Sequence, residues 1–299
     1  MNGTPQQSRT ALVLGGGGST GNAWLIGVVA GLFEAGLDVS NADLIIGTSA
    51  GATAAAQITS APADELLAVS LTPIGQPVAP AGTGGGGAPR GPVVNHLARM
   101  TGIIAASSDP ADLRARLSAA ALELDAESDG SWTDRWRSIV APRLPNPNWP
   151  EQAIAITAVD AQTGEGTVFD RASGVALVDA VAASTSSGLP YWIGGIPYLD
   201  GGFRTNAENA DLAAGYDRVL VVSPFGGRSL VPKEWGTHLA SQVDELRTEG
   251  SRVEAIFPEP ESEHLFGPDA MNLSLRPTAA RAGYEQGRVL ADQLSGFWR

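Results

Sequence analysis

Short apolar runs that end at glycine alternate with longer apolar segments at the start of this chain. Residues 10–14 and 44–46 are short and apolar, which is typical of buried strands. Residues 22–35 and 52–58 are apolar or strongly helix-forming on nearly every face, which predicts a buried helix after each strand. Because such alternation favours parallel pairing, the pattern predicts an α/β fold, a three-layer α/β/α arrangement around a mostly parallel central sheet.

The same patterns continue through the rest of the chain. Residues 93–136 are predicted to be helical, with a break near Ser108-Asp109-Pro110. Residues 153–159 form a strand-like run, and 167–169 follow a Thr-Gly turn as its hairpin partner. Further elements are predicted as a helix at 175–184, strands at 218–222 and 253–257, and a closing helix at 277–298.

Glycine and proline dominate residues 72–92, which excludes a packed element and predicts a long flexible loop. Two interpretations of this loop stay open: a surface linker, or part of a lid over an active site. The chain has no internal repeat. We therefore expect a single domain over residues 1–299, with this loop and a helical insertion that runs to about residue 150.

Charge and composition narrow the possible partners. The formal net charge is −13, so nucleic-acid phosphates and anionic membranes are not expected electrostatic partners. The chain has no cysteine, which excludes disulfides, thiolate metal sites and cysteine nucleophiles. Neither a signal-like N-terminus nor an apolar run of transmembrane length is present, so a cytoplasmic protein is expected.

The segment Gly47-Thr48-Ser49-Ala50-Gly51 follows a predicted strand and precedes a predicted helix. This is the G-x-S-x-G pattern of a nucleophile elbow, in which a sharp turn strains the serine backbone and flanking glycines avoid collisions. The helix N-terminus would favour negative charge near the serine oxygen. The alternative is a helix start capped by Thr48 or Ser49, and the strand–helix context favours the elbow.

A second glycine-rich turn, Gly15 to Gly21, follows the first strand. Successive glycine N–H groups could stabilise the oxyanion of an acyl-transfer reaction. A P-loop is not supported, because no lysine stands at or next to Gly21. A dinucleotide fingerprint can be placed on Gly16, Gly18 and Gly21, so nucleotide binding stays open as a weaker alternative.

A nucleophilic serine needs a base, and Asp200-Gly201-Gly202 is the candidate segment. Asp200 ends an apolar stretch, which would leave its carboxylate in a shared cleft; by itself the segment could equally be a simple turn. The three histidines lie in no motif that connects them to Ser49, and surface or capping roles are expected for them. They are His96, His238, which is expected in a helix, and His264, which lies in an acidic loop.

The glycine-rich turn, the elbow and the late Asp-Gly-Gly together resemble the patatin-like phospholipase family. The resemblance implies a Ser–Asp dyad of Ser49 and Asp200 that works without histidine, and a carboxylic ester hydrolase that needs no metal or other cofactor. It also places Gly16, Gly17 and Gly18 in the oxyanion hole. One departure is Thr20, where the family commonly has arginine or lysine. The absence of a positive charge at this position could lower activity or shift substrate preference away from lipids with anionic headgroups.

The resemblance implies a lipid or ester substrate and allows transient membrane contact. The expected acyl cleft is bordered by Trp24, Leu189, Tyr191 and Trp192, although core packing explains them equally well. A lipid-binding protein of low turnover is the alternative from another class. Head group, acyl length, regiochemistry, acyl acceptor, regulation and oligomeric state are left open by the sequence.

Overall fold

A computed structural model describes residues 8–73 and 93–299, with side chains left undescribed at 93–98. Residues 74–92, most of the predicted glycine- and proline-rich loop, lie outside the described residues. The sheet has eight strands in the order β5-β6-β3-β2-β1-β7-β8, and β4 pairs with β3. The strands are β1 (Thr10–Leu14), β2 (Leu44–Gly47), β3 (Ile154–Asp160), β4 (Gly166–Phe169), β5 (Tyr191–Ile193), β6 (Ile196–Asp200), β7 (Arg218–Val222) and β8 (Arg252–Ile256).

Helices cover both faces of this sheet, and several short 3-10 turns connect them. The helices are α1 (Gly18–Glu34), α2 (Ala50–Ile58), α3 (Ala63–Leu71), α4 (Val93–Ala106), α5 (Pro110–Ala126), α6 (Trp132–Val140), α7 (Leu177–Ser184), α8 (Leu239–Thr248) and α9 (Arg276–Trp298).

The alternation of side chains along β1 explains the three layers. Leu12 and Leu14 belong to the larger core, which α1 and α9 cover. Ala11 and Val13 point to the opposite face and belong to the smaller core against α8. All four residues are fully buried, so β1 must be covered on both sides. The predicted α/β/α arrangement is therefore confirmed.

The sheet is parallel in its centre and antiparallel at one side. β1 pairs in parallel with β2 and β7, and β8 extends this set beyond β7. β6 pairs with β3 in the antiparallel direction, and β5 continues the sheet from β6. The mostly parallel sheet predicted from the sequence is thus observed, with an antiparallel side that carries the Asp-Gly-Gly segment.

Two predictions about helices need correction. The first helix begins at Gly18 and not at residue 22, because the N–H and side chain of Thr20 are both bonded to residues late in the chain. The helical stretch predicted at 93–136 has a second interruption before α6, in addition to the break near Pro110. The assignment of the whole chain to one domain remains a prediction.

Helices α1 and α9 pack with their backbones in close approach, because each carries glycine at the contact. A Cβ added at Gly27 or Gly31 would overlap backbone carbonyl oxygens of α9. A Cβ added at Gly283 or Gly287 would likewise overlap carbonyl oxygens of α1. This contact holds the N-terminus of α1, and with it the glycine-rich turn, against the closing helix.

Gly283→Ala is therefore expected to lower the free energy of unfolding by about 2 kcal/mol, because the added methyl group forces the two backbones apart. The matched control is Gly296→Ala in the same helix, where nothing lies within 4 Å of the added carbon. That change should be neutral or mildly stabilising. Urea denaturation of both variants tests this, and equal effects would contradict the close helix contact.

Candidate active site

The turn from β2 to α2 has the strained geometry that the G-x-S-x-G pattern predicts. Ser49 has φ 53° and ψ −114°, in a region that residues with side chains rarely occupy. A Cβ at Gly51 would overlap the carbonyl oxygen of Leu14, and one at Gly47 would lie 2.7 Å from Ala52 Cα. Glycine at both flanking positions is what allows so sharp a turn beside β1.

The side chain of Ser49 does not cap α2. Although Ser49 occupies the N-cap position, its hydroxyl makes no capping hydrogen bond. It donates instead to Asp200 Oδ2 at 2.8 Å. The backbone N–H of Ser49 is held separately by Ser184 Oγ at 2.9 Å. The turn therefore presents the hydroxyl group to the carboxylate and not to its own helix.

The register of β3 explains how Asp200 reaches Ser49. Gly47, at the end of β2, pairs with Ile156, and Asp200 pairs with Ala158 two residues further along β3. Since β3 lies between β2 and β6, Asp200 at the end of β6 lies level with Ser49, which is two positions beyond Gly47. Two segments separated by 151 positions thus place a hydroxyl and a carboxyl group in contact.

Asp200 is buried, with 8% of its surface exposed. Burial raises the pKa of its carboxyl group to about 6, while hydrogen bonds from the Gly202 N–H and the Ser49 hydroxyl act in the lowering direction. The Gly202 N–H donates to Oδ1 at 2.8 Å, so each carboxylate oxygen has its own donor. Asp200 is a stronger proton acceptor than an exposed aspartate and is held in one orientation.

The glycine-rich turn lies beside Ser49: a Cβ at Gly16 would be 3.6 Å from the Ser49 Cβ. The N–H of Gly16 is already engaged, because it donates to the carbonyl oxygen of Ala207 at 2.7 Å. Within the described residues, the N–H groups of Gly17 and Gly18 have no acceptor, and neither has that of Ala50. Of the three glycines expected in the oxyanion hole, Gly17 and Gly18 therefore have donors available.

Neither of these two positions tolerates a side chain. A Cβ at Gly17 would lie 2.5 Å from Pro224 Cβ. Gly18 has φ 63°, and a Cβ there would lie 2.7 Å from the carbonyl oxygen of Ala270. The turn is enclosed by segments from the C-terminal third of the chain.

A buried polar cluster behind the elbow connects its two halves, and sequence reasoning missed it. The side-chain N–H₂ of Asn209 donates to Thr48 Oγ1 at 3.0 Å and to the Gly201 carbonyl oxygen at 3.0 Å. Thr157 Oγ1 also donates to Thr48 Oγ1, at 2.9 Å. Asn209 is fully buried and has φ 56°. It therefore bonds to the neighbours in sequence of both Ser49 and Asp200.

The remaining buried acid, Glu208, lies under the glycine-rich turn. Burial raises its pKa to about 7, and the Ser223 hydroxyl, which donates to Glu208 Oε1 at 2.5 Å, acts in the lowering direction. A Cβ at Gly15 would lie 3.3 Å from the Glu208 side chain. Glu208 supports the turn from beneath and does not contact Ser49.

Thr20 is fully buried, and its hydroxyl donates to the carbonyl oxygen of Leu265 at 2.8 Å. Thr20 thus joins α1 to a distant segment. Of the four residues expected to border the acyl cleft, two follow the alternative of core packing, and Leu189 is half-buried. Trp24 and Tyr191 lie in the core, and the Tyr191 hydroxyl donates to Asp179. Trp192 is partly exposed, and its indole N–H donates to Asp125 at 2.9 Å.

The described histidines lie away from the Ser49–Asp200 pair. His238 directly precedes α8, and its Nε2 is 2.9 Å from the carbonyl oxygen of Val231. His264 is exposed, with Nδ1 2.8 Å from the carbonyl oxygen of Glu261. The side chain of His96 lies outside the described residues.

Comparison with family models identifies residues 12–213 as a patatin-like phospholipase domain. This match spans more than half of the chain and contains the glycine-rich turn, the elbow and Asp200. The chain belongs to the patatin-like phospholipase family, whose members are lipid hydrolases in general.

Comparison with curated proteins found no match. Among solved structures, the crystal structure of VipD from Legionella pneumophila is similar, with 15% identity and a TM-score of 0.45 over 96% of this chain and 67% of that chain. At that level the likeness carries no argument about mechanism. In the described part of the chain, no helix is both long and apolar enough to cross a membrane.

Asp200→Asn should stabilise the protein at neutral and higher pH. Folding raises the pKa of the Asp200 carboxyl group from 3.8 to about 6. The contribution of this group to stability is therefore complete below pH 3.8, where it is protonated, and is lost as the pH rises through about 6, where it ionises in the folded protein. The free energy of unfolding at pH 8 should rise by up to about 3 kcal/mol in the variant, and the gain should vanish at about pH 4. Urea denaturation across this range tests it, and a gain independent of pH would contradict the shift.

Proposed function

We propose that this chain is a serine hydrolase that cleaves carboxylic esters of phospholipids or related lipids through an acyl-enzyme on Ser49. The observation that carries the proposal is the 2.8 Å hydrogen bond from the Ser49 hydroxyl to Asp200, in a turn whose backbone is strained at the serine. Family membership supports the lipid class of the substrate.

In the first half of the reaction, Asp200 accepts the hydroxyl proton as Ser49 Oγ attacks the ester carbonyl carbon. The carbonyl oxygen becomes an oxyanion, for which the available N–H groups of Gly17 and Gly18 are the proposed donors. Ala50 adds a third available N–H at the start of α2. The tetrahedral species collapses, and the departing alcohol takes the proton from Asp200.

In the second half, a water molecule gives a proton to Asp200 and attacks the acyl-enzyme carbonyl carbon. Collapse of this second tetrahedral species returns the proton to Ser49 Oγ and releases the fatty acid. Because Asp200 both accepts and returns the proton, its raised pKa suits it to each step. The reaction needs no group other than the substrate, water and these residues.

Asn209 is proposed as a positioning residue for this pair. It bonds to Thr48 and to the Gly201 carbonyl oxygen, so it fixes the spacing between the two loops without contact to the substrate. Its own side-chain oxygen accepts hydrogen bonds from Arg204 and Thr205, at 3.1 and 2.8 Å. All the bonding capacity of this buried amide is therefore used to hold the loops together.

Ser49→Ala and Asp200→Asn should each reduce kcat/KM for p-nitrophenyl esters by at least about a thousandfold, since each removes one half of the reacting pair. His238→Ala and His264→Ala serve as controls and should keep the wild-type rate. Retained hydrolysis in Ser49→Ala would exclude the proposed nucleophile. A wild-type protein that binds fatty acid but hydrolyses no ester would favour the low-turnover lipid-binding alternative.

The pH dependence of kcat/KM should show an acid limb with a midpoint at about pH 6, because Asp200 must be ionised to accept the proton. Activity should fall as the pH drops through this value and level off above it. Burial also raises the pKa of Glu208, to about 7, so Glu208→Gln is the control and should leave the limb in place. Loss of the acid limb in Glu208→Gln would assign the titration to Glu208 and contradict its assignment to Asp200.

A further inference from the structure

The segment 270–276, which connects a late loop to α9, lies against the glycine-rich turn. The N–H of Thr20 donates to the carbonyl oxygen of Ala270 at 3.0 Å. Met271 Sδ lies 3.0 Å from the position that a Cβ on Gly18 would occupy. We call this segment the rim, because it borders the glycine whose N–H is proposed to face the substrate.

Two apolar side chains of the rim are open to solvent. Met271 is 62% exposed and Leu273 is 46% exposed. Isolated exposed apolar residues are ordinary on protein surfaces. Here two of them stand two positions apart in one segment, and the Met271 sulfur lies next to Gly18. Their burial in another apolar phase would be favourable, and a lipid substrate is found in such a phase.

Two arginines, Arg276 at the end of the rim and Arg143, have no acidic partner in the part of the chain that the structure describes. Arg276 Nη1 donates to the carbonyl oxygen and hydroxyl of Ser19, and its Nη2 donates to Asn22 Oδ1, all uncharged acceptors. Within the described residues, the Arg143 guanidinium forms no ion pair or hydrogen bond and lies over the ring of Trp136, 5.5 Å from its centre.

Hydrogen bonds through Gln57 and Asn22 connect the backbone of Arg143 to the guanidinium of Arg276. Burial, and then the positive charge of Arg143, lower the pKa of Arg276 below its usual value. Gln57 donates to the Arg143 carbonyl oxygen at 3.0 Å and accepts from Asn22 at 2.9 Å. Asp269 is the nearest exposed acid in sequence, and it pairs with neither arginine.

We infer that the rim is a docking surface for a lipid bilayer, in which Met271 and Leu273 enter the apolar layer while the exposed Arg143 meets lipid phosphates. The inference rests on the proposed function, because a lipid surface is where a lipid hydrolase meets its substrate. The net charge of −13 opposes approach to an anionic membrane. Screening limits that repulsion to about 8 Å at physiological salt, so the charges local to the rim decide the contact.

Vesicle co-sedimentation at physiological salt tests the surface, with protein in the Ser49→Ala background so that no lipid is hydrolysed. The probes are phosphatidylcholine vesicles, with and without phosphatidylglycerol. Met271→Ser with Leu273→Ser should weaken binding to both vesicle types by about tenfold, since two half-exposed apolar side chains are lost. Arg143→Gln should weaken binding by about fivefold for phosphatidylglycerol vesicles alone.

Matched controls are available elsewhere on the surface. Val69→Ser with Val289→Ser removes two apolar side chains that are 71% and 79% exposed, on α3 and α9. Arg171→Gln removes one exposed positive charge near β4. Both controls should bind vesicles like the parent protein. Absence of binding by the parent, or equal losses in rim and control variants, would overturn the inference.

Hydrolysis of a soluble short-chain ester by the wild-type protein, measured in parallel, separates this inference from the proposed function. Ester hydrolysis without vesicle binding would reject the rim as a docking surface and leave the Ser49–Asp200 mechanism intact. Rim-dependent vesicle binding without ester hydrolysis would reject the mechanism and leave the docking surface intact.

Discussion

The hydrogen bond between Ser49 Oγ and Asp200 Oδ2 is the contact on which the site depends, because it requires every nearby element to be in place. The serine is held by the β2–α2 turn, and the aspartate is held at the end of an antiparallel strand on the far side of β3. A shift of one residue in the pairing of β3 with β6 would turn Asp200 to the other face of the sheet. The register of this one strand pair is thus as necessary to the site as the two side chains.

The protein stores unfavourable free energy at this contact. Ser49 has a backbone conformation that costs on the order of 1–3 kcal/mol, and Asp200 is buried against its preference for water. Surrounding structure offsets both terms. Ser184 fixes the backbone of Ser49, and Asn209 bonds to both loops behind the pair. A site that is destabilising by itself and held by its neighbours is what a preorganised reaction centre requires.

The central strands could be predicted from the sequence because their signal is local. β1 and β2 are short apolar runs that end at glycine, and both were placed within one residue of their observed bounds. The first helix was placed too late, because Gly18 and Gly21 are poor helix formers. Thr20 is held in the helix by hydrogen bonds to Ala270 and Leu265, and no local pattern indicates those contacts.

The finer features of the site also depend on contacts between residues that are far apart in the sequence. Nothing near Gly16 in the sequence indicates that its N–H is bonded to Ala207, so its place among the oxyanion donors could not be judged in advance. Asn209 lies 161 positions from the threonine that it bonds to. Asparagine is enriched at positive φ, and this is the local signal that points to Asn209. The resemblance to the family implies the pairing of Ser49 with Asp200, which the spacing of the two motifs along the chain does not predict.

The most direct measurement of the central claim is to map the adduct of a fluorophosphonate ester on the intact protein by tandem mass spectrometry. The Ser49–Asp200 mechanism predicts a single covalent adduct on Ser49, and strongly slowed labelling in Asp200→Asn, where the base is absent. An adduct on any other residue, or labelling of Asp200→Asn at the wild-type rate, would contradict it.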